Sequence, residues 1–393
     1  MTEPTLHPPD FTTYDPQSQS PLFSTLPPEI RAEIFMYALS SFEDQKKLYE
    51  KDSYWSRPGY SAPLKTHTEL LRTCKRVYAE SWFMPFALAE HSFYLTSGAR
   101  APDTRNSWRW DKKQLEGSLK VLYEIHGRGG QRVEMGDVRV FAQMYLLEPG
   151  QLLQNVLDTK HLCPKRVHLT LRYTDFWHWE SNQRLRIGGD WVKRVRFPDS
   201  VKRFVVDFES LERRKEEVDI LVSQAVEKWV FKRRDGWVLT AKPEDLATTK
   251  WTGSSMFAGT RWIRDEVRPG ELDYYVLTAT WKLLPQYAGP IPMEDGIDMN
   301  IRVPNDYQQP PPPYLGQDTI DEDDMADAGV GMDTPAEEAV NAIRQVHEEV
   351  LSRRRRRPNG LNSFIDFGGS HDDEEDEEDE EGFDEEIISE EDI

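Results

Sequence analysis

The chain has 393 residues, a net charge of −21 and a mean hydropathy of −0.71. Its two cysteines, Cys74 and Cys163, exclude a disulfide-stapled secreted scaffold and point to a reducing compartment. The acidity sits at one end: residues 372–393 hold 16 acids and no Lys or Arg, whereas residues 1–300 hold 41 acidic and 42 basic residues. The folded part is nearly neutral, and no direct nucleic-acid binding is expected. No apolar run approaches the roughly twenty residues of a membrane span. Glu3 and four prolines within the first 16 residues predict no secretory signal peptide. The expected location is intracellular, in the nucleus or the cytoplasm.

Residues 1–20 are expected to be a disordered N-terminus. A first helix follows, with Thr25 as its cap, Pro27 and Pro28 in the first turn, and Glu29 at the positive end of the helix dipole. Ile30, Ile34 and Ala38 recur at four-residue spacing, and Phe35 and Leu39 widen the stripe. A second helix is predicted from a cap at Thr68. Leu70, Leu71, Cys74, Val77, Tyr78, Ser81 and Trp82 fall on one face, and Pro85 stops the pattern. Phe93, Tyr94 and Leu95 then read as a short strand.

Leu26 to Arg31, Leu70 to Lys75 and Phe93 to Leu95 together resemble the F-box, and more closely the F-box-like N-terminal module found in a set of filamentous-fungal proteins. The resemblance covers roughly residues 21–96. It implies a helical hook that holds the Skp-type adaptor of a cullin ubiquitin ligase, with Leu26, Pro27, Glu29 and Ile30 at the partner-binding edge. The chain departs from a compact F-box by inserting residues 40–67 between the two helical halves. The same packing also suits a plain helical subdomain that caps the next domain.

Residues 97–118 are expected to be a linker and residues 119–289 an α+β domain. Val138 to Tyr145 reads as a strand and Leu152 to Leu157 as a short helix. Arg166 to Tyr173 alternates Val167, Leu169 and Leu171 with polar partners, and Val201 to Phe208 repeats that period. Ser210 opens a helix with the stripe Leu211, Val218, Leu221, Ala225 and Trp229. Asp235-Gly236 marks a turn into a strand at Trp237 to Leu239, and Tyr274 to Trp281 is the last strand expected. The alternation predicts a mixed α+β layer with helices on one face. Leu169 to Asp175, Val201 to Phe208 and Trp229 to Gly236 also resemble the second half of the same fungal set, which implies kinship of fold and no particular chemistry.

Residues 290–393 have the composition of a disordered tail with one helix near 335–352. Thr334 is its expected cap, Pro335 its first position, and Val340, Ile343, Val346 or His347, and Val350 its stripe. Pro311, Pro312, Pro313 and Tyr314 fit the Pro-Pro-x-Tyr ligand of WW domains, in which prolines pre-form an extended helix for an aromatic groove. The five arginines Arg353, Arg354, Arg355, Arg356 and Arg357 form a candidate nuclear-import signal or a solvated helix end. The acidic tract from Asp372 is expected either to bind basic proteins or only to solvate the chain.

Enzyme chemistry finds little support. Gly127 to Gly130 lacks the Lys-Ser/Thr of a phosphate loop. Asp175, His178 and Glu180, with His168 nearby, alternate in a way that sends side chains to opposite faces, and no second cluster completes a metal shell. No catalytic, cofactor-binding or metal-ligating residue is assigned. The expectation is a non-enzymatic interaction protein, an F-box-type substrate adaptor in the first instance. A nuclear acidic-tailed chaperone or chromatin-associated factor is the alternative.

Overall fold

The computed structural model of the protein describes residues 13–102, 108–126, 134–283 and 298–356. Helices α1 (Pro21–Ser24) and α2 (Pro28–Leu39) open it. The two-residue strands β1 (Phe42–Glu43) and β2 (Leu64–Lys65) pair antiparallel and tie off the long loop that follows. Helices α3 (Lys75–Ser81) and α4 (Met84–Leu88) complete a small helical core around Phe35, Leu39 and Val77.

Local chemistry moves several expected boundaries. Thr25 closes α1, its N–H bonded to the Pro21 carbonyl, and α2 starts after Pro27 without a side-chain cap. The predicted second helix breaks: Glu69–Arg72 is a 3₁₀ turn, and Cys74 becomes the cap of α3, its Sγ accepting from the Val77 N–H at 3.5 Å. Pro85 opens α4 rather than ending a helix, because a first turn has no use for its missing N–H.

The chain then runs through β3 (Glu90–Leu95), α5 (Trp108–His126), β4 (Met135–Ala142), α6 (Met144–Leu147), α7 (Gln151–Leu157) and β5 (Pro164–Leu171). Next come β6 (Arg186–Ile187), α8 (Asp190–Arg194), β7 (Arg196–Phe197), β8 (Arg203–Leu211) and α9 (Lys215–Lys228). Strands β9 (Phe231–Arg233), β10 (Val238–Thr240), β11 (Leu246–Ser254), β12 (Met256–Phe257), β13 (Thr260–Arg261) and β14 (Glu271–Leu283) follow. The last elements are β15 (Ile301–Arg302), β16 (Ile320–Asp321), α10 (Glu322–Ala328) and α11 (Ala336–Arg356).

Among the described residues, nine strands join into one mixed sheet, in the order β3-β4-β5-β8-β14-β10-β9-β7, with β11 also on β14. Strands β3, β4, β5 and β8 run parallel, and β14 returns antiparallel to β8. Register aligns Phe93, Val140, Leu169, Val206 and Ala279 in one row across five strands, all buried in the main core. That face packs against Leu119 of α5, Val156 of α7, Trp191 of α8 and Leu221 of α9. Trp191, Phe204, Trp229, Phe231 and Trp281 fill one end of it with ring centroids 4.7 to 6.3 Å apart. The fold is therefore α+β. Ser210 and Leu211 extend β8 rather than opening a helix, and α9 begins four residues later, at Lys215.

Two expected boundaries are corrected. The linker 97–118 is largely structured: α5 starts at Trp108, buries Leu115, and follows a turn in which Arg100 bonds the Thr174 carbonyl. Part of the expected disordered tail is built into the core. Met299, Ile301 and Val303 are buried in the main cluster, β15 pairs with β6, and β16 pairs with β13. Met325, Ala339, Val340 and Ile343 form a second cluster with Met256, Ile263 and Ile320. Thr334 does not cap α11; its hydroxyl accepts from the Gly331 N–H. Arg353–Arg356 lie in the last turns of α11. Arg357, the glycine cluster at 127–130 and the acidic tract from Asp372 lie outside the described residues, as do residues 1–12.

Candidate functional site

Helix α2 presents two apolar faces. Arg31, Phe35 and Leu39 point inward, at four-residue spacing. The expected core stripe of Ile30, Ile34 and Ala38 is turned outward: Ile30 is 43 % exposed, Ile34 42 % and Tyr37 77 %. Arg31 makes this rotation tolerable. Its Nε and Nη2 donate to the Glu80 carboxylate of α3 at 2.9 and 3.0 Å, and its Nη1 donates to the Leu26 carbonyl at 2.8 Å. The charge is matched while the aliphatic stem packs inward. Leu26 is half-buried, and Pro27, Glu29 and Ile30 are exposed beside it.

The opposite face of the main sheet is polar. Register sets Tyr94, Phe141, Thr170, Asp207 and Thr278 in one row. His168 Nε2 lies 2.7 Å from Asp207 Oδ2, Thr278 Oγ1 donates to Asp207 Oδ1 at 2.7 Å, and Arg139 Nη1 donates to Thr170 Oγ1 at 2.9 Å. Burial alone would raise the Asp207 carboxyl. Its hydrogen bonds to His168 and Thr278 and the Arg139 charge outweigh that and hold it well below the usual carboxylate range.

The loop of residues 40–67, which follows α2, covers this face. Tyr60 bonds Glu90 and packs edge-on against Phe141, with centroids 5.1 Å apart. Burial pushes its phenol well above the ordinary value. Arg57 Nη2 pairs with Glu209 Oε2 at 2.8 Å, and Trp251 Nε1 donates to the same oxygen at 2.9 Å. Burial raises the Glu209 carboxyl against the opposing pull of Arg57 and Trp251. Between this loop and the β8-β14-β11 part of the sheet lies a groove of about 790 Å³, lined by Tyr49, Tyr54, Arg57, Glu209, Trp251 and Tyr274 among others.

The metal candidates are dispersed. Asp175 is clamped by Arg172 at 2.7 and 2.9 Å, Glu180 pairs with Arg100, His168 belongs to the Asp207 network, and His178 lines a separate pocket. Among the described residues no group of three or more His, Cys, Asp or Glu is placed to hold a metal. Trp179 is buried against Trp262, and Trp177 donates from Nε1 to Glu148. Pro311 is exposed, Pro312 and Tyr314 are half-buried, and the Tyr314 ring packs on the Met256 cluster while its N–H donates to the Arg264 carbonyl.

Sequence reasoning missed Arg57, Glu209 and Trp251. The available signal was two acids, Asp207 and Glu209, at alternate positions in a strand that also carries Phe204, Val205, Val206 and Phe208. No family model, curated protein or solved structure matches this chain. No helix among the described residues is long and apolar enough to cross a membrane.

Proposed function

We propose that the protein is a non-enzymatic interaction module whose N-terminal helices hold a partner, in the manner of an F-box-type substrate adaptor bound to a Skp-type subunit of a ubiquitin ligase. The observation that carries this reading is the outward stripe of Ile30, Ile34 and Tyr37 on a helix whose other face is already packed. Soluble surfaces scatter apolar side chains singly; three large ones in register on one helix face mark a docking surface. The half-buried Leu26 and exposed Pro27 extend the stripe at its N-terminal end, where the resemblance puts the adaptor contact. On the polar face of the sheet, Asp207, His168, Thr170 and Arg139 are engaged with one another in one internal network.

Co-purification of the full chain with a Skp-type adaptor tests the reading. The wild type should retain the adaptor at about 10 μM. Ile34→Asp with Tyr37→Asp should abolish retention while the circular dichroism spectrum stays unchanged. A wild type that fails to retain the adaptor at that concentration overturns the ligase-subunit reading.

A further inference from the structure

We infer that the groove beneath the inserted loop receives an aromatic residue of a partner's extended peptide, with a peptide carbonyl accepting a hydrogen bond from Arg57. This goes beyond the helical docking surface and stands whether or not α2 holds an adaptor. Two observations carry it.

The first is an unmet donor. The Arg57 side chain is only 9 % exposed, and its Nη2 is spent on Glu209. Its Nη1 is buried and has no hydrogen-bond partner. A buried guanidinium N–H without an acceptor is costly, and this one belongs to a residue that lines the largest of the cavities described above. Glu209 already balances the Arg57 charge, so the donor calls for a neutral oxygen such as a carbonyl rather than a second carboxylate. The walls suit a flat apolar group. Tyr54 stacks on Phe257 with centroids 5.3 Å apart, and Trp251 stacks on Tyr274 at 4.1 Å and 12°. The volume, about 790 Å³, lies within the range of sites that enclose a side chain or small ligand.

The second observation favours a peptide over a free small molecule. Strand β11 pairs with β14 over nine residues, Leu246 to Ser254, and among the described residues no strand pairs with its other edge. Most of its residues are exposed or half-buried. An open edge of this length is a template for strand addition, which natural sheets usually block. The C-terminal end of that edge, Trp251 to Ser254, also lines the groove. A peptide strand laid on β11 would send alternate side chains toward the groove, next to the Arg57 donor.

The test uses the full chain and N-acetyl-phenylalaninamide, a neutral probe that carries both the aromatic ring and peptide carbonyls. The Trp251 indole resonance should shift in a saturable way, with a Kd of about 1 mM. Arg57→Lys keeps the charge opposite Glu209 and removes the second η nitrogen; it should weaken the probe by about tenfold. Ser56→Trp fills the groove from its rim and should abolish binding with the fold intact. N-acetyl-leucinamide should bind more weakly than the aromatic probe. A Trp251 resonance unmoved at about 10 mM probe overturns the inference and leaves water as the acceptor for Arg57. Binding of 2-naphthamide without N-acetyl-phenylalaninamide overturns the peptide part and makes the groove a small-molecule site. Equal binding by wild type, Arg57→Lys and Ser56→Trp places the probe elsewhere and also overturns it.

Discussion

Arg31 and Glu80 clamp α2 to α3 through two hydrogen bonds of 2.9 and 3.0 Å, and only 7 % of the Arg31 side chain is exposed. The pair decides which face of α2 is buried. With Arg31 anchored inward, Phe35 and Leu39 follow at one-turn intervals, and Ile30, Ile34 and Tyr37 are carried to the surface. A core contact and an exposed apolar stripe thus meet on one helix, on either side of this ion pair.

Arg31→Met should destabilise the helical core by about 1–3 kcal/mol. The lower part of that range applies because Glu80 is 26 % exposed and keeps a second partner, Arg76, at 3.2 Å. Urea unfolding followed by tryptophan fluorescence checks the value. An unchanged midpoint would show that the clamp orients the helix without stabilising it.

The two acids of β8 should impose opposite pH dependences. Asp207 is held below its ordinary value, so its contribution is complete above the ordinary carboxylate pKa of about 4 and is lost as pH falls toward the depressed folded value. Glu209 is raised by burial, so stability falls as pH climbs from the ordinary value through the raised one. Asp207→Asn should flatten the loss of stability on the acid side, and Glu209→Gln should flatten the decline on the other. Urea midpoints between about pH 3 and about pH 8 measure both. Slopes that shift in the same direction for the two variants would contradict the assignment.

The main sheet was legible because its buried rows alternate. Val167, Leu169 and Leu171 read as a strand directly, and β5 spans Pro164–Leu171. The α2 rotation was not legible, since an arginine at an inner position looks like a surface residue until Glu80 is brought to it by long-range packing. Helix α5 was hidden because Arg109, Asp111, Lys112 and Lys113 dominate its first turns, although Leu115, Leu119 and Leu122 form its buried stripe. Strand β11 is exposed and threonine-rich, so it carries no alternation to read. Of the candidate sites, the α2 edge could be read as a motif, whereas the groove depends on Arg57, Glu209 and Trp251, brought together from distant parts of the chain.

Tyr314 has two competing uses. Its ring packs on the Met256 cluster and its backbone N–H bonds the Arg264 carbonyl at 3.2 Å. A WW domain needs that same ring in its own groove. A synthetic peptide of residues 308–318 should therefore bind a Pro-Pro-x-Tyr-reading WW domain more tightly than the full chain does, by about tenfold if releasing the ring costs about 1.4 kcal/mol. Tyr314→Ala should abolish binding of the peptide and also lower the stability of the chain. Equal affinity of peptide and chain in calorimetric titration would mean that the packed ring is no barrier to binding.

The region after β14 should divide sharply under truncation. Met299, Ile301 and Val303 are 4, 0 and 3 % exposed within the main core, and Trp229 donates from Nε1 to the Met299 carbonyl at 2.8 Å. Ile320, Met325, Val340 and Ile343 are buried in the second cluster, and Arg261 of β13 bonds the carbonyls of Gly331 and Thr334. Each large apolar side chain contributes about 1.5–3 kcal/mol when buried, so these seven together contribute about 10–21 kcal/mol, as much as the 5–15 kcal/mol by which a typical domain is stable. Ending the chain after Leu283 should therefore give an insoluble or molten product. Ending it after Ser352 should leave the thermal midpoint within about 2 °C of the full chain, because every buried position named above is retained. This shorter truncation also removes the five arginines and the 16 acids, so nuclear accumulation and binding to basic proteins can be compared in a chain whose fold is unchanged. A soluble, cooperatively folding chain ending at Leu283 would show that residues 298–343 are an appendage rather than part of the core.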